Sequence, residues 1–335
     1  MAFKKNIRRG AVAFDAAGAS GNAFLNAQLE YADPDLVKPM TSMTHQRDIT
    51  VKFGGGFVEF LTAYASDYGT VGTNQYGLQG TSNTDVPMVN ASLNKGIWNA
   101  WNWAAGFLVT FIDLKKLEAA KRNGQPAPFS LTKMLEDAVQ LVWNKAMERV
   151  TYLGWLGQPG IINNPNITSS LAPATGTGGL RTWASKTPTQ IQTDVNFGLT
   201  QTVAQSAYSL AGMADTMLVS WTIYQVLMQP MTTGGFSSLL EFLLNNNIAR
   251  QNGIDLKIFP VANDWITGQG AGGTERAVFY RNNEETLLLR APQPVTKAAT
   301  IATTEAGGSW QTIYNGCIGQ VQWYRTQPAY YLDGI

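Results

Sequence analysis

YLGWLGQPGIINNPNI, residues 152–167, follows the longest periodic apolar run of the chain. Gly154, Gly157, Pro159 and Gly160 crowd together. An apolar pair, Ile161–Ile162, and then Asn163–Asn164–Pro165 come next. Upstream, Leu131, Met134, Leu135, Ala138, Leu141, Val142, Ala146, Val150 and Leu153 recur with the i, i+3, i+4, i+7 spacing of an amphipathic helix. Lys133, Asp137, Gln140, Asn144, Glu148 and Thr151 take the other side. The spacing predicts a helix over 131–153 with Ser130 as its N-cap, a rod of roughly 36 Å at 1.5 Å per residue. A glycine-rich bend after such a rod has two uses. An enzyme cradles a phosphate on it, and a structural protein swings through it from one domain into another.

Composition narrows the choice. The 335 residues suffice for one or two domains with a sizeable core. Apolar residues make up an ordinary 44%, but charged residues only 14%, against about 25% for an average soluble domain. Asn, Gln, Thr, Ser and 33 glycines fill the gap. Low charge without membrane-like hydrophobicity fits a surface covered by partners, because interface cores are depleted in Lys, Glu and Asp. A monomer with a neutral polar surface has the same composition. A net charge of +1 argues against a dedicated nucleic-acid binder. The single cysteine, Cys317, excludes an internal disulfide and a multi-cysteine metal site. The single histidine, His45, excludes a His-rich zinc site, and a Ser-His-Asp triad would have to run through it. The simpler expectation for His45 is a hydrogen-bonded surface or strand residue. MAFKKNIRRG is basic, but Asp15 and glycines interrupt the adjoining AVAFDAAGASGNAF, so no secretory signal is read. No window approaches the roughly 18 apolar residues that span a bilayer. The expectation is a protein made and kept in a cytoplasm, or in something assembled there.

Residues 1–45 read as an extended arm, whose basic start is either a frayed terminus or a contact to nucleic acid or an acidic partner. ITVKFGGGFVEFLTAYA, 49–65, is strand-like on either side of Gly54–Gly56, and 66–87 is a nearly uncharged loop tip. Residues 88–111 return as an apolar stretch with Trp98, Trp101 and Trp103, which completes a long hairpin. DLKKLEAAKRNG, 113–124, is a short charged helix ending at Gly124. Residues 168–188 are a polar loop and 189–211 a polar helix, with Ile191, Val195, Leu199, Thr202 and Ala207 on one side. Residues 215–228 are a strand and a short helix, and 237–247 open with a capping box, Ser238 and Glu241. DLKIFPV, ERAVFYR and TLLLRAP are strands, the last two joined by a turn at Asn282–Asn283. The tail forms a final strand or strand pair. Without regular βαβ alternation the class is α+β.

Motifs with catalytic meaning fail on context. GQGAGG, 268–273, matches G-x-G-x-x-G but precedes a strand where a dinucleotide site needs a helix N-terminus. Gly54–Gly56 lacks the Gly-Lys-Ser/Thr of a P-loop, and GASG at 18–21 falls short of a nucleophile elbow. Asn166–Ile167–Thr168 is a sequon with no secretory signal behind it. Asp113 with Glu118, and Glu136 with Asp137, sit on charged helix faces. The three tryptophans serve either as a carbohydrate platform or, more commonly, in core or interface packing.

The order of parts carries more than any motif: arm, glycine-tipped hairpin, charged helix, long helix, glycine bend with IINNP, mixed domain, closing strands. This resembles the major capsid proteins of tailed bacteriophages, the Hong Kong 97-type fold. The match is carried by Gly154, Gly157, Gly160, Ile161, Ile162, Asn163 and Pro165, by MLVSWTIYQVL with GGFSSLLEFLLNNN, and by ERAVFYR, TLLLRAP and WQTIYNGCIGQVQWYRTQP. Here Ile-Ile-Asn-Asn stands where the family has Gly-Leu-Leu-Asn.

The resemblance implies an N-arm (1–48), an E-loop hairpin with a flanking strand (49–112), and a P-domain spine (113–160). It implies an A domain (161–300) and closing P-domain strands (301–335). It implies a coat subunit that assembles with itself, as hexamers and pentamers, into an icosahedral head enclosing double-stranded DNA. Assembly would take place in the bacterial host cytoplasm. It implies no catalytic residue, metal, cofactor or membrane. Portal and cement proteins are expected partners, with a separate scaffolding protein or none and no covalent cross-link. Tyr68, Tyr76, Trp98, Trp101 and Trp103 are the candidate assembly residues. Gly154, Gly157, Pro159 and Gly160 are the candidate hinge into the A domain. An encapsulin-like shell, or a soluble enzyme or carbohydrate-binding protein using the tryptophans, are the alternatives.

Overall fold

The computed structural model describes residues 43–71, 88–122, 131–231, 237–303 and 308–335. The predicted arm up to residue 42, most of the loop tip, Gly124 and the Ser130 cap lie outside them. In chain order the elements are α1 (His45–Asp48), β1 (Val51–Phe53), β2 (Phe60–Val71), β3 (Met88–Thr110), α2 (Phe111–Arg122) and α3 (Leu131–Tyr152). There follow β4 (Ser169–Leu171), α4 (Pro188–Gln205), β5 (Thr216–Ser220), α5 (Trp221–Leu227), α6 (Leu239–Asn245), α7 (Ile248–Gln251), β6 (Lys257–Val261) and α8 (Asn263–Ile266). The chain closes with β7 (Arg276–Tyr280), β8 (Leu287–Ala291), β9 (Gln293–Thr303), β10 (Ser309–Gly319), β11 (Val321–Trp323) and β12 (Ala329–Asp333). The class is α+β, as expected. The chain divides into two compact units. The described part of the smaller is α2 with the first residues of α3, where Lys115 pairs with Glu118 at 2.9 Å. The described residues within 43–110 and 135–335 form the larger.

Three sheets build the larger unit: β1-β8-β11, β2-β3-β10-β9 and β4-β12-β7-β5-β6. The five-stranded sheet has a core on each face, which is why β5, β7 and β12 are buried at every position. Leu218, Val278, Tyr280 and Tyr331 face one core, with Trp143, Met147 and Val150 of α3 and Leu287, Leu289, Val321 and Trp323 of the small sheet. Met217, Val219, Phe279 and Leu332 face the other, under Ile191, Val195 and Leu199 of α4, Ile223 of α5 and Leu243 of α6. The second core encloses an ion pair, Lys186 Nζ to Asp194 Oδ2 at 2.5 Å, and Trp183 Nε1 also donates to that oxygen at 3.0 Å.

The predicted helix over 131–153 forms almost as drawn, but its apolar stripe is turned. Val139, Trp143, Met147 and Val150 are buried with Glu148, Thr151 and Tyr152, whereas Met134 and Val142 are exposed. Two stripes satisfy the helical period. Ring volume selects between them, because Trp143 packs edge-on against Trp103 with centroids 5.1 Å apart. His45 is likewise not on the surface or in a strand. It is fully buried on α1. The strands of the hairpin reach further than expected, through Val71 and from Met88, so residues 66–71 are strand rather than loop. Helix α4 ends at Gln205, and Ala207, expected on its face, follows it at φ 53°. The tail holds three strands, one in each sheet, and β7 and β8 also belong to different sheets.

The bend after α3 is tightly held. Gly154 N still bonds Val150 O, the chain loops through Gln158, and Ile161 N and Ile162 N return to Thr151 O and Tyr152 O. Asn163 clamps the loop, accepting from Gly160 N at 2.8 Å and donating to Leu153 O at 2.9 Å. A Cβ on Gly154, at φ 76°, would lie 1.8 Å from Gln158 O, whereas one on Gly157, at φ 79°, meets nothing. Gly154→Ala is therefore expected to lower subunit stability by about 3 kcal/mol or more, and Gly157→Ala by only about 1 kcal/mol. Denaturant unfolding of unassembled subunits measures both. Equal costs would show that the bend is looser than this geometry.

Candidate assembly surface

At about 3.3 Å per residue the 23 residues of β3 run roughly 75 Å. Its inner half pairs with β10, from Ala100↔Gly319 to Thr110↔Ser309. Its outer half pairs with β2 alone among the described residues, from Asn99↔Phe60 to Met88↔Val71. The outer half is thus a two-stranded ribbon, an arrangement that is marginal in water on its own.

Strand alternation gives this ribbon two unlike faces. Phe60, Thr62, Tyr64 and Ser66 stand opposite Asn99, Ile97, Lys95 and Leu93, and Val89 continues the same row. Phe60, Tyr64, Val89, Leu93 and Ile97 are 59–74% exposed. The other face carries Leu61, Ala63, Ala65, Trp98, Gly96, Asn94 and Ser92. That face is engaged at its base: Leu61 is buried, and Trp98 meets the ring of Tyr324 edge-on, centroids 5.3 Å apart. Trp98 also lies so close over Gly96 that a Cβ there would be 2.2 Å from its ring. The apolar row is thus left without a partner in its own subunit. An exposed row of this kind marks contact with another surface.

The predicted site residues fall into separate places. Trp101 and Trp103 are half-buried against the core and lie on the strand face opposite to Trp98, so the three rings form no common platform. Tyr68 stands in β2 opposite Ala91, and Tyr76 lies outside the described residues. Gly154, Gly157, Pro159 and Gly160 come together in the bend, and the first three line an open hollow of about 530 Å³ that no carboxylate, histidine or cysteine lines. GQGAGG forms a turn before β7, and Ala271 N there donates to Asp333 at 3.0 Å. Glu136 accepts from Tyr314 at 3.0 Å. Among the described residues no three His, Cys, Asp or Glu side chains gather as metal ligands. The apolar row was missed in the sequence, although the four-residue spacing of Val89, Leu93 and Ile97, read as every second strand position, carries it.

A family model described as the major capsid protein matches residues 75–335. The chain belongs to that family. A major capsid protein is a structural subunit that assembles with copies of itself, and the chain is no enzyme. Its fold is similar to that of the capsid of Myoviridae phage XM1, with TM-score 0.70, 15% identity, and coverage of 92% of this chain and 98% of that one. A chain of Microbacterium phage Oxtober96 gives TM-score 0.55 at 13% identity, covering 91% and 95%. The capsid of the native GTA particle gives 0.56 at 9% identity, covering 91% and 94%. At these identities the likeness is one of fold. No curated protein sequence matches the chain. The enzyme, carbohydrate-binding and encapsulin-like alternatives gain no support.

The split between core and exposed apolar side chains has a measurable consequence in this capsid protein. Trp103→Ala is expected to lower subunit stability by about 3 kcal/mol, since it empties the space against Trp143. Ile97→Ser, on the free ribbon face, is expected to change it by less than about 0.5 kcal/mol. Urea unfolding of unassembled subunits compares the two, and a large loss for Ile97→Ser would mean that the ribbon face packs within its own subunit.

Proposed function

We propose that the chain forms a closed icosahedral phage head around double-stranded DNA, through hexamers and pentamers assembled in the cytoplasm of a bacterial host. In this reading the β2–β3 ribbon, within 49–112, is the E-loop. Helix α3, within 113–160, is the spine of the P domain. Residues 161–300 are the A domain, entered through the bend at Gly154, Gly157, Pro159 and Gly160. Residues 1–48 are the N-arm and 301–335 the closing strands. The observation that carries the reading is the unpartnered apolar row Phe60–Tyr64–Ile97–Leu93–Val89 on a ribbon too thin to stand alone. Laid across a neighbouring subunit, it loses its exposure and the ribbon gains a second layer. Each large side chain covered in this way contributes roughly 1.5–3 kcal/mol. Tyr68, opposite Ala91 in the row's own register, and Tyr76 are assigned to the same contact, while Trp98, on the other face against Tyr324, braces the ribbon within its own subunit. Trp101 and Trp103, packed on their own core, support it from within. Scaffolding, portal and cement proteins are proposed partners, and packaged DNA is met non-specifically at most.

Electron microscopy with light scattering tests this. The wild type is expected to form closed shells or rings of five and six. Leu93→Asp is expected to stay folded and fail to assemble. Asn94→Asp, one residue away on the other face, is expected to assemble. A wild-type particle that remains at the 36.4 kDa of one chain, or shells formed equally by Leu93→Asp, would overturn it.

A further inference from the structure

The chain has one histidine, and none of its surface is exposed. Among the described residues neither ring nitrogen of His45 has a hydrogen-bond partner. The segment that carries it is fastened to the rest of the larger unit by polar contacts. Thr44 donates to Glu148 Oε1 from its backbone N at 3.0 Å and from its hydroxyl at 2.8 Å. The same hydroxyl lies 2.8 Å from the Tyr152 hydroxyl, which donates to Asp48 Oδ2. Tyr280 donates to Asp48 O at 2.6 Å. Arg47 forks onto Asp48 at 2.5 and 2.9 Å, donates to Pro260 O at 3.1 Å and lies 4.2 Å above the Phe259 ring.

These contacts leave little for a charged imidazole. The charges acting on His45 are Glu148 of α3 and Asp48 of its own helix. Around them stand Arg47, Tyr152 of α3 and Tyr280 of β7. Both Asp48 oxygens are taken by Arg47 and Tyr152, and Glu148 Oε1 takes both Thr44 donors. An imidazolium carries two N–H donors, and a buried donor without an acceptor is costly. Burial holds the imidazole below its ordinary 6.5, against the opposing pull of Glu148 and Asp48.

We propose that His45 makes the seat of residues 44–49 acid-sensitive: neutral, it packs as an apolar ring, and protonation unseats the segment, Ile49 of the first core with it, while the rest of the two cores stays folded. The stabilisation is complete above about pH 6.5, the unfolded value, and is lost as the pH falls from there towards the depressed folded value. Within that window the open population rises up to tenfold per pH unit.

The test uses the full-length chain labelled with ¹³C and ¹⁵N at histidine, which gives a single ring signal. Hydrogen exchange of the Arg47, Asp48 and Ile49 amides, all bonded within the segment, is followed from pH 7.5 to 5 and corrected for intrinsic exchange. The ring is expected to stay neutral below pH 6.5 in the seated form. Opening of these amides is expected to rise up to tenfold per unit below it, and His45→Phe is expected to abolish that rise. A ring that titrates at 6.5 or above overturns the proposal. So does an equal pH dependence in His45→Phe, which would assign the effect to the carboxylates. Should His45→Phe not fold, the wild-type ring titration decides alone.

Discussion

Buried backbone needs partners, and the end of α3 is where this demand is hardest to meet. Residues 160–164 run inside the protein, where the last carbonyls of α3 take the Ile161 and Ile162 N–H groups but no helix or sheet ladder supplies the remaining hydrogen bonds. Distant side chains supply them. Trp323 Nε1 reaches Gly160 O at 3.4 Å, Tyr331 donates to Ile161 O at 2.5 Å, and Arg276 donates to Ile162 O at 2.8 Å. Tyr331 also accepts from Asn164 N at 3.0 Å. Arg276 can reach because Asp333, its register partner across β7 and β12, holds it bidentately at 2.6 and 3.0 Å. The bend thus depends on the last residues of the chain, and the last strand depends on the bend to pass beside α3.

This arrangement separates what the subunit does alone from what it leaves undone. The five-stranded sheet buries both of its faces, and two ion pairs, Arg276–Asp333 within it and Lys186–Asp194 in the core under α4, are almost wholly inside. Buried pairs add little net stability against an apolar core, but losing one partner strands a charge. They therefore penalise any packing that separates them. The ribbon follows the opposite logic. It has strand pairing and one engaged base, but no core beneath its apolar row. Its burial has to come from outside the chain.

Much of this was legible in the sequence, and the losses have physical causes. The helix over 131–153, the strands at 216–220, 257–261, 276–280 and 287–291, and the hairpin follow from local period and turn residues. The face of α3 did not follow, because the periodic stripe through Leu135 and Val142 is as regular as the one through Val139 and Trp143. Only Trp103, forty residues away in sequence, separates them. The tail read as one strand or two because each of its three strands pairs with a different distant partner, which no local pattern encodes. The expectation of a hydrogen-bonded surface or strand residue for His45 rests on the average behaviour of histidine, and its burial arises from Glu148 and Tyr152 holding Thr44. The tryptophans drew attention by size, whereas the row that lacks a partner is built from Phe, Tyr, Val, Leu and Ile.

The low charge now has a physical place. In a shell of identical copies, any residue on an interface occurs at every equivalent contact, so one uncompensated Lys is repeated at each. Desolvating an ion costs several kcal/mol even after relaxation, while a neutral amide or hydroxyl that finds a hydrogen bond costs far less. Asn, Gln, Ser and Thr can both donate and accept, or turn to do so, and they meet slightly different neighbours without a change of sign. The ribbon shows the pattern in small. Across residues 60–66 and 88–99, Lys95 is the one charged side chain, and every other position is apolar or neutral. A surface of this kind is poorly suited to a lone monomer, which relies on charge for solubility. It suits a subunit that spends little time alone.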